Sequence, residues 1–443
     1  MKSVWTAMIL LGLLLSPAHA KAVDKVLKCT VKSVDADKGK LVVSLGERIS
    51  RTLQVATDAR IETRDRRQVE LSTIRPGSLV LLNVDKDRRV VHKLKLVSSP
   101  PDPEAAEAKI PGPPTNTDDE IRANFQYAIS IHPAKRVLAQ LSTYLTVNGL
   151  RDPSWVIVAP LPPQLPGQPQ IEVQFEPSGS VIDDLANKSR KLVQITVEGR
   201  PDVLVQARYV AVLSARKLVP RASVDAVNPP KLSAEERDSY LIADGQSDWK
   251  EAAFQEWMKS NGPTRQVGES QVDFGRRTFL ALKRHYRYIY HSTMDRRASV
   301  VCRAGATDCG GFASLFVSIL RSNGIPARAL VGRWAISSKP GETLGDIKYG
   351  QQHVKCEFFA DGVGWVPVDL SSAILHDKSP AGLEYFGQDK GDFIAMHVDY
   401  EIEFDSLGSG IKSATWIQDV NYWARGKGKP SFSKSDAWIV NSQ

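Results

Sequence analysis

The chain has few cysteines, no hydrophobic run long enough to cross a membrane, and none of the common ligand motifs. Its 443 residues hold only four cysteines, Cys29, Cys302, Cys309 and Cys356. Four cysteines allow three pairings. None of them forms the paired Cys-x-x-Cys spacing of a zinc site. The apolar run from Val4 to Leu15 is twelve residues long, against roughly 20 needed to span a bilayer. No stable membrane span is therefore expected. Asp-rich spacing of the EF-hand kind is missing, so independence of any cofactor is the default. The net charge is +8, with both signs spread along the chain. The basic cluster Lys283-Arg284-His285-Tyr286-Arg287 reads as a solvated helix face, and no nucleic-acid module accompanies it.

The first residues have the layout of an export leader. Lys2 supplies a positive start, the apolar run follows, and Ala18-His19-Ala20 is a small-residue cleavage site. Residues 1–20 are thus expected to be a signal peptide, and the protein periplasmic or secreted. No cysteine follows the cleavage site, which argues against a lipid anchor there.

Beyond the leader, 24–98 shows short alternating strands around turns at Asp37-Lys38-Gly39 and Arg75-Pro76-Gly77. That spacing predicts a small all-β barrel or sandwich, an accessory module. Residues 99–119 are rich in proline and poor in large apolar residues, as a linker is. In 120–225 about six strand patterns predict a β-sandwich-like domain, interrupted at Leu161-Pro162-Pro163-Gln164-Leu165-Pro166-Gly167. Helical periodicity begins near Ser233, which with Glu236 makes a capping box. Residues 230–426 are expected to form an α+β core, and 427–443 a C-terminal tail.

Within that core, Cys309 stands before Phe312, Leu315, Phe316, Ile319 and Leu320, which recur at helical spacing. A thiol at a helix start is helped towards thiolate by the helix dipole and by any nearby imidazole. His353 to Phe359 and Trp365 to Leu370 alternate around Asp361-Gly362-Val363-Gly364, a hairpin pattern. Parity then decides whether His353 can meet Asp369. An odd loop centred on Gly362 puts both on one face, and an even loop puts them on opposite faces. Catalysis therefore requires a three- or five-residue loop. In that reading Cys309 attacks a carbonyl carbon as the thiolate, His353 holds that thiolate as an ion pair and then protonates the leaving amine, and Asp369 fixes the imidazole tautomer and stabilises its charged form. Gly310 and Gly311 are expected to leave the helix end open to a substrate backbone. If Cys309 is a working thiol, at least one other cysteine stays unpaired within the chain, and Cys302 with Cys356 is the pairing to test.

Several stretches resemble the transglutaminase-like superfamily, with its papain-like Cys-His-Asp site. They are Asp308-Cys309, Leu320-Arg321-Ser322-Asn323-Gly324-Ile325-Pro326-Ala327-Arg328, the His353 strand, and Gly364-Trp365-Val366-Pro367-Val368-Asp369. The resemblance covers about Lys231 to Trp423. The Trp155 to Val197 region also resembles the β domain that often precedes this core in bacterial, exported members. By motif position the resemblance implies Cys309, His353 and Asp369 as the triad. Three positions depart from the family pattern. Thr307 stands where glycine is usual, Lys355 where an aromatic is usual, and Gly310-Gly311 where an acidic or polar pair is usual.

The fold expected is α+β: a papain-like transglutaminase core preceded by a β-sandwich-like domain and a small all-β domain. The function implied is an exported cysteine acyl-transfer enzyme, acting on a protein or peptide substrate. It would hydrolyse amide bonds through a thioester, as a peptidase does, or pass the acyl group to an amine. The alternative is a catalytically silent cell-envelope binding or assembly protein.

Overall fold

The computed structural model describes residues 25–45, 49–63, 67–85, 89–98, 117–185, 187, 189–223, 231–406 and 410–442. The expected leader and linker residues 99–116 lie outside them. Strands β1 (Lys25–Asp35), β2 (Lys40–Leu45), β3 (Ile49–Glu62), β4 (Leu79–Val84) and β5 (Val90–Ser98) close into a barrel in the order β1-β2-β3-β5-β4. Alternation fills its interior: Leu41 and Val43 point inward, as do Val80 and Leu82.

Helix α1 (Thr117–Ala123) already occupies the last residues of the expected linker. A large sheet follows, built on β6 (Tyr127–Leu161), β7 (Gln170–Glu176), β8 (Ser180–Asp183), β9 (Lys191–Glu198) and β10 (Asp202–Pro220). Three stretches that read as separate strands run together into the 35-residue β6. Its turn-forming residues do not reverse the chain. Gly149 and Asp152 take positive φ within the strand, and beyond them β6 exchanges β10 for β9 as its neighbour.

The core comprises α2 (Ala234–Ser239), α3 (Ala252–Ser260), α4 (Gln271–His285), β11 (Arg287–Tyr288), α5 (Ala298–Ala304), β12 (Ala306–Thr307) and α6 (Cys309–Ser322). It continues through β13 (Ala327–Trp334), β14 (Thr343–Leu344), β15 (Ile347–Lys348), β16 (Gln352–Ala360), β17 (Gly364–Val368) and α7 (Leu370–His376). Then come β18 (Gln388–Asp389), β19 (Phe393–Val398), β20 (Glu401–Ser406), β21 (Gly410–Thr415) and β22 (Asn421–Ser442). The capping box forms as expected: Ser233 accepts from the Glu236 amide, and Glu236 reaches back to the Ser233 amide.

A four-stranded sheet, β17-β16-β13-β19, lies at the centre of the core. Its even-numbered β16 residues Val354, Cys356 and Phe358 join the apolar core of α6, with Phe316 beside Phe358. Lys355 and Glu357 face the preceding sheet, where Glu357 pairs with Arg216 of β10 as well as with Arg328 of β13, and Lys355 lies 3.6 Å from Asp389 of β18. Two parts of the expected division are corrected. Residues 427–442 are not a tail but the second half of β22, paired along β6. Strand β18 also joins that sheet, at the edge of β10. The cause is hydrogen bonding: a strand as long as β6 needs partners along both edges, and 120–225 covers only one of them.

His397 of β19 is buried with its Nδ1 against the Asp399 carbonyl. Burial and the Arg190 charge lower its pKa to about 3. The imidazole is therefore neutral in the fold, and stability it contributes above pH 6.5 is lost as pH falls from 6.5 towards 3. The wild type is expected to lose more of its urea midpoint between pH 7 and pH 5 than His397→Gln does. Equal losses in both proteins would remove His397 as the cause.

Candidate active site

Asp308 caps α6 by accepting the Gly311 amide at 3.1 Å. The Arg296 guanidinium clamps the same carboxylate, with Nε 3.0 and 2.8 Å from its two oxygens. Cys309 follows as the first helical residue and is half-buried, while the other three cysteines are buried. All four are free, so neither Cys302–Cys356 nor any bridge consuming Cys309 is formed.

Burial opposes the thiolate expected at Cys309. Burial pushes the Cys309 thiol up to about 12, and the Asp308 and Asp369 charges add to this. The Val354 amide bonded to the sulfur and the Arg296 charge pull the other way without prevailing. A helix N-terminus contributes about 0.3–1 kcal/mol, less than the desolvation of a thiolate in this setting. The cap that starts the helix also sets a carboxylate beside the sulfur.

The expectation for the two glycines is corrected at Gly311. A Cβ on Gly311 would sit 1.9 Å from Thr307 Oγ1, and one on Gly310 would meet Arg296 and Trp416 at about 3 Å. At Gly311 the space belongs to Thr307, whereas Gly310 also lines the cleft beside Cys309. Thr307, which replaces the family's usual glycine, is accommodated by the glycine at 311.

The hairpin loop is odd, as expected. Ala360 pairs with Gly364 across a three-residue loop, and the register continues to Cys356 opposite Val368. The ladder ends there: β17 stops at Val368, and Asp369 follows as the N-cap of α7. His353 Nε2 lies 2.8 Å from Asp369 Oδ2. Asp369 also caps α7: its Oδ1 accepts from the Ser372 amide at 3.0 Å and the Ser371 hydroxyl at 3.1 Å. Burial raises the Asp369 carboxyl, but His353, Lys355 and the Ser372 amide hold it well below the usual carboxylate range.

Among the described residues no hydrogen bond joins Cys309 to His353. The connection is through the backbone: the sulfur accepts from the amide of Val354, the residue after the histidine. With Nε2 taken by Asp369, Nδ1 is the ring nitrogen left to serve the thiol.

The surroundings of the imidazole were not legible in the sequence. Trp334 stacks on it, with centroids 4.4 Å apart and planes 22° apart, and Phe393 meets it edge-on at 6.1 Å. Gln418 Nε2 donates to the His353 carbonyl at 2.8 Å from 65 residues downstream. Lys355 extends over the Trp334 ring, 4.5 Å from its centroid, with Asp392 at 3.4 Å. Trp334 had one available signal, its place on the strand that pairs with the histidine strand; Gln418 had none. Beside Cys309 opens a cleft of about 220 Å³, walled by Tyr290, Leu344, Ile347, Tyr349 and Trp416.

Residues 261–370 match the family model of the transglutaminase-like superfamily. Cys309, His353 and Asp369 all fall within the matched segment. No curated protein matches the chain. Among solved structures, it is similar to a protein from Cytophaga hutchinsonii provisionally described as a cysteine protease. Identity is 12%, the TM-score 0.42, and 71% of this chain and 100% of that one are covered. It is also similar to the periplasmic domain of TgpA from Pseudomonas aeruginosa. There identity is 16%, the TM-score 0.25, and coverage 58% of this chain and 94% of that one. Among the described residues no helix is long and apolar enough to cross a membrane.

Proposed function

We propose that this protein is an exported cysteine acyl-transfer enzyme that hydrolyses amide bonds of a protein or peptide. Cys309 is its nucleophile, His353 its general base and acid, and Asp369 the residue that orients the imidazole. The proposal places the catalytic core in 230–426 and gives 24–98 and 120–225 accessory roles. The leader at 1–20 directs it to the periplasm or outside the cell. The observation that carries this reading is the 2.8 Å contact between His353 Nε2 and Asp369 Oδ2, made beside a free thiol at a helix start.

Because burial keeps the thiol neutral, the nucleophile is generated when it is needed. His353 Nδ1 takes the proton from Cys309 as the sulfur attacks the substrate carbonyl carbon. The imidazolium, stabilised by Asp369, then protonates the departing amine and leaves a thioester. Water, deprotonated by His353, resolves the thioester to a carboxylic acid and restores the thiol. The Gly311 amide is committed to Asp308, so the Cys309 and Gly310 amides are the candidates to meet the oxyanion. The missing Cys309–His353 hydrogen bond closes as substrate enters, as catalytic contacts of resting enzymes commonly do.

The test is iodoacetamide labelling of Cys309 across pH, followed by peptide mass spectrometry. A thiol pushed up to about 12 by burial would, without help from a base, present only about one part in 10⁵ thiolate at pH 7. The wild type is expected to label far faster than that fraction permits, and His353→Ala to fall at least about 100-fold at pH 7. Equal, slow labelling of both proteins would favour the silent envelope scaffold.

A further inference from the structure

The cleft beside Cys309 has apolar walls and no unpaired charge. Tyr290, Leu344, Ile347, Tyr349 and Trp416 are each half-buried and line it together. Its charged lining groups are already paired. Arg296 is clamped on Asp308 and also donates to the Met294 carbonyl at 3.2 Å. Asp419 is 2.7 Å from Lys434 and 3.5 Å from Arg333. Each of the two lining amides, both uncharged, is held at one end: Gln352 Oε1 accepts from the Gly350 amide, and Gln418 Nε2 donates to the Gly332 and His353 carbonyls. A charged substrate group entering here would give up water and find no free counter-charge. An apolar group would gain buried area against the rings.

Size and direction narrow the choice. At about 220 Å³ the cleft is smaller than the roughly 300–1,000 Å³ of sites that enclose a whole small molecule, and suits one large side chain. Cys309 and Val354 line it and the His353 imidazole does not. The leaving amine departs towards the group that protonates it, so the cleft lies on the acyl side of the scissile bond. The wall bearing Leu344 and Ile347 is anchored. Asp346, at the turn between β14 and β15, accepts from Ser292 Oγ at 2.7 Å. Gly345 packs so closely on Tyr290 that an added Cβ would lie 2.9 Å from its ring.

We propose that this cleft is the acyl-side specificity pocket and that it selects a bulky, uncharged aromatic or aliphatic side chain next to the attacked carbonyl. The inference rests on the amide-hydrolase reading and adds its substrate class: peptides cleaved after a large apolar residue.

The experiment uses the whole protein and five N-acyl aminoacyl chloromethyl ketones differing only in side chain: Phe, Leu, Gln, Asp and Lys. Each alkylates a nucleophilic thiol, with carbon–sulfur bond formation and loss of chloride. Inactivation rate constants are normalised to the reaction of each reagent with glutathione, and the modified residue is located by mass spectrometry. The Phe and Leu reagents are expected to modify Cys309 about tenfold or more faster than the Asp and Lys reagents, the scale of discrimination a hydrophobic pocket provides. Ile347→Lys, at a half-buried hairpin position, is expected to raise the Asp rate and reduce the Phe advantage. Leu344→Ala, which adds no charge, reduces that advantage alone. Labelling of Cys309 at similar rates by all five, or fastest by a charged reagent, overturns the pocket and leaves the enzyme reading intact. Failure of every reagent to label Cys309 in the folded protein overturns both.

Discussion

Asp369→Asn is expected to lower kcat of the proposed amide hydrolysis by about 10³–10⁴, the scale seen when a triad imidazole is left in the wrong tautomer. The capping contacts dictate this outcome. Oδ1 of Asp369 accepts from the Ser372 amide at 3.0 Å, so an asparagine must keep its carbonyl oxygen there. Its NH₂ group then occupies the Oδ2 position, 2.8 Å from His353 Nε2. Two donors cannot share that contact, so Nε2 becomes the acceptor and the ring proton moves to Nδ1. Nδ1, the nitrogen that the proposed mechanism uses to take the Cys309 proton, is then no longer a base. The Ser372 hydroxyl, which donates to Oδ2 at 2.8 Å, can turn to accept from the new amide, so α7 keeps its cap. Thermal unfolding of the variant is therefore expected to resemble that of the wild type. Activity within about tenfold of wild type would mean that Asp369 does not set the tautomer.

Glu357→Gln is expected to have the largest effect on stability, a loss of about 3–5 kcal/mol, as for a buried ion pair deprived of one partner. Glu357 is fully buried, with one oxygen 2.7 Å from Arg328 Nε and the other 2.9 Å from Arg216 Nη2. Burial raises its pKa, but the two guanidiniums outweigh this and hold it below the ordinary glutamate value. Neutralising it leaves two guanidiniums buried between the large sheet and the core sheet, with Asp389 at 3.3 Å as Arg216's other carboxylate. Urea unfolding measures the loss. Replacing Glu357, Arg216 and Arg328 together with apolar residues of similar volume is expected to recover much of it. A loss under about 1 kcal/mol for the single variant would show that water reaches the site.

Helix α6 was legible because its apolar residues repeat at the helical period and Asp308 is a good cap. The hairpin was legible through parity: side chains alternate with period two, so the loop length alone determines whether His353 and Asp369 share a face. The second half of β22 was not. Gly426-Lys427-Gly428-Lys429-Pro430 has little strand preference of its own. Those residues are extended because β6 offers an unpaired edge.

The thiol illustrates the same division. Sequence by itself determined that Cys309 begins a helix, that His353 stands on one strand of a hairpin, and that the loop must be odd if Asp369 is to meet it. These properties follow from periodicity and capping, which act over a few residues. That β17 stops at Val368 and leaves Asp369 to cap α7 it did not show. The state of the thiol, the purpose of Gly310 and Gly311, the Trp334 ring over His353 and the apolar cleft were decided only by tertiary structure. Each depends on desolvation and contact between groups far apart in the chain, and burial by distant residues leaves no local pattern to read.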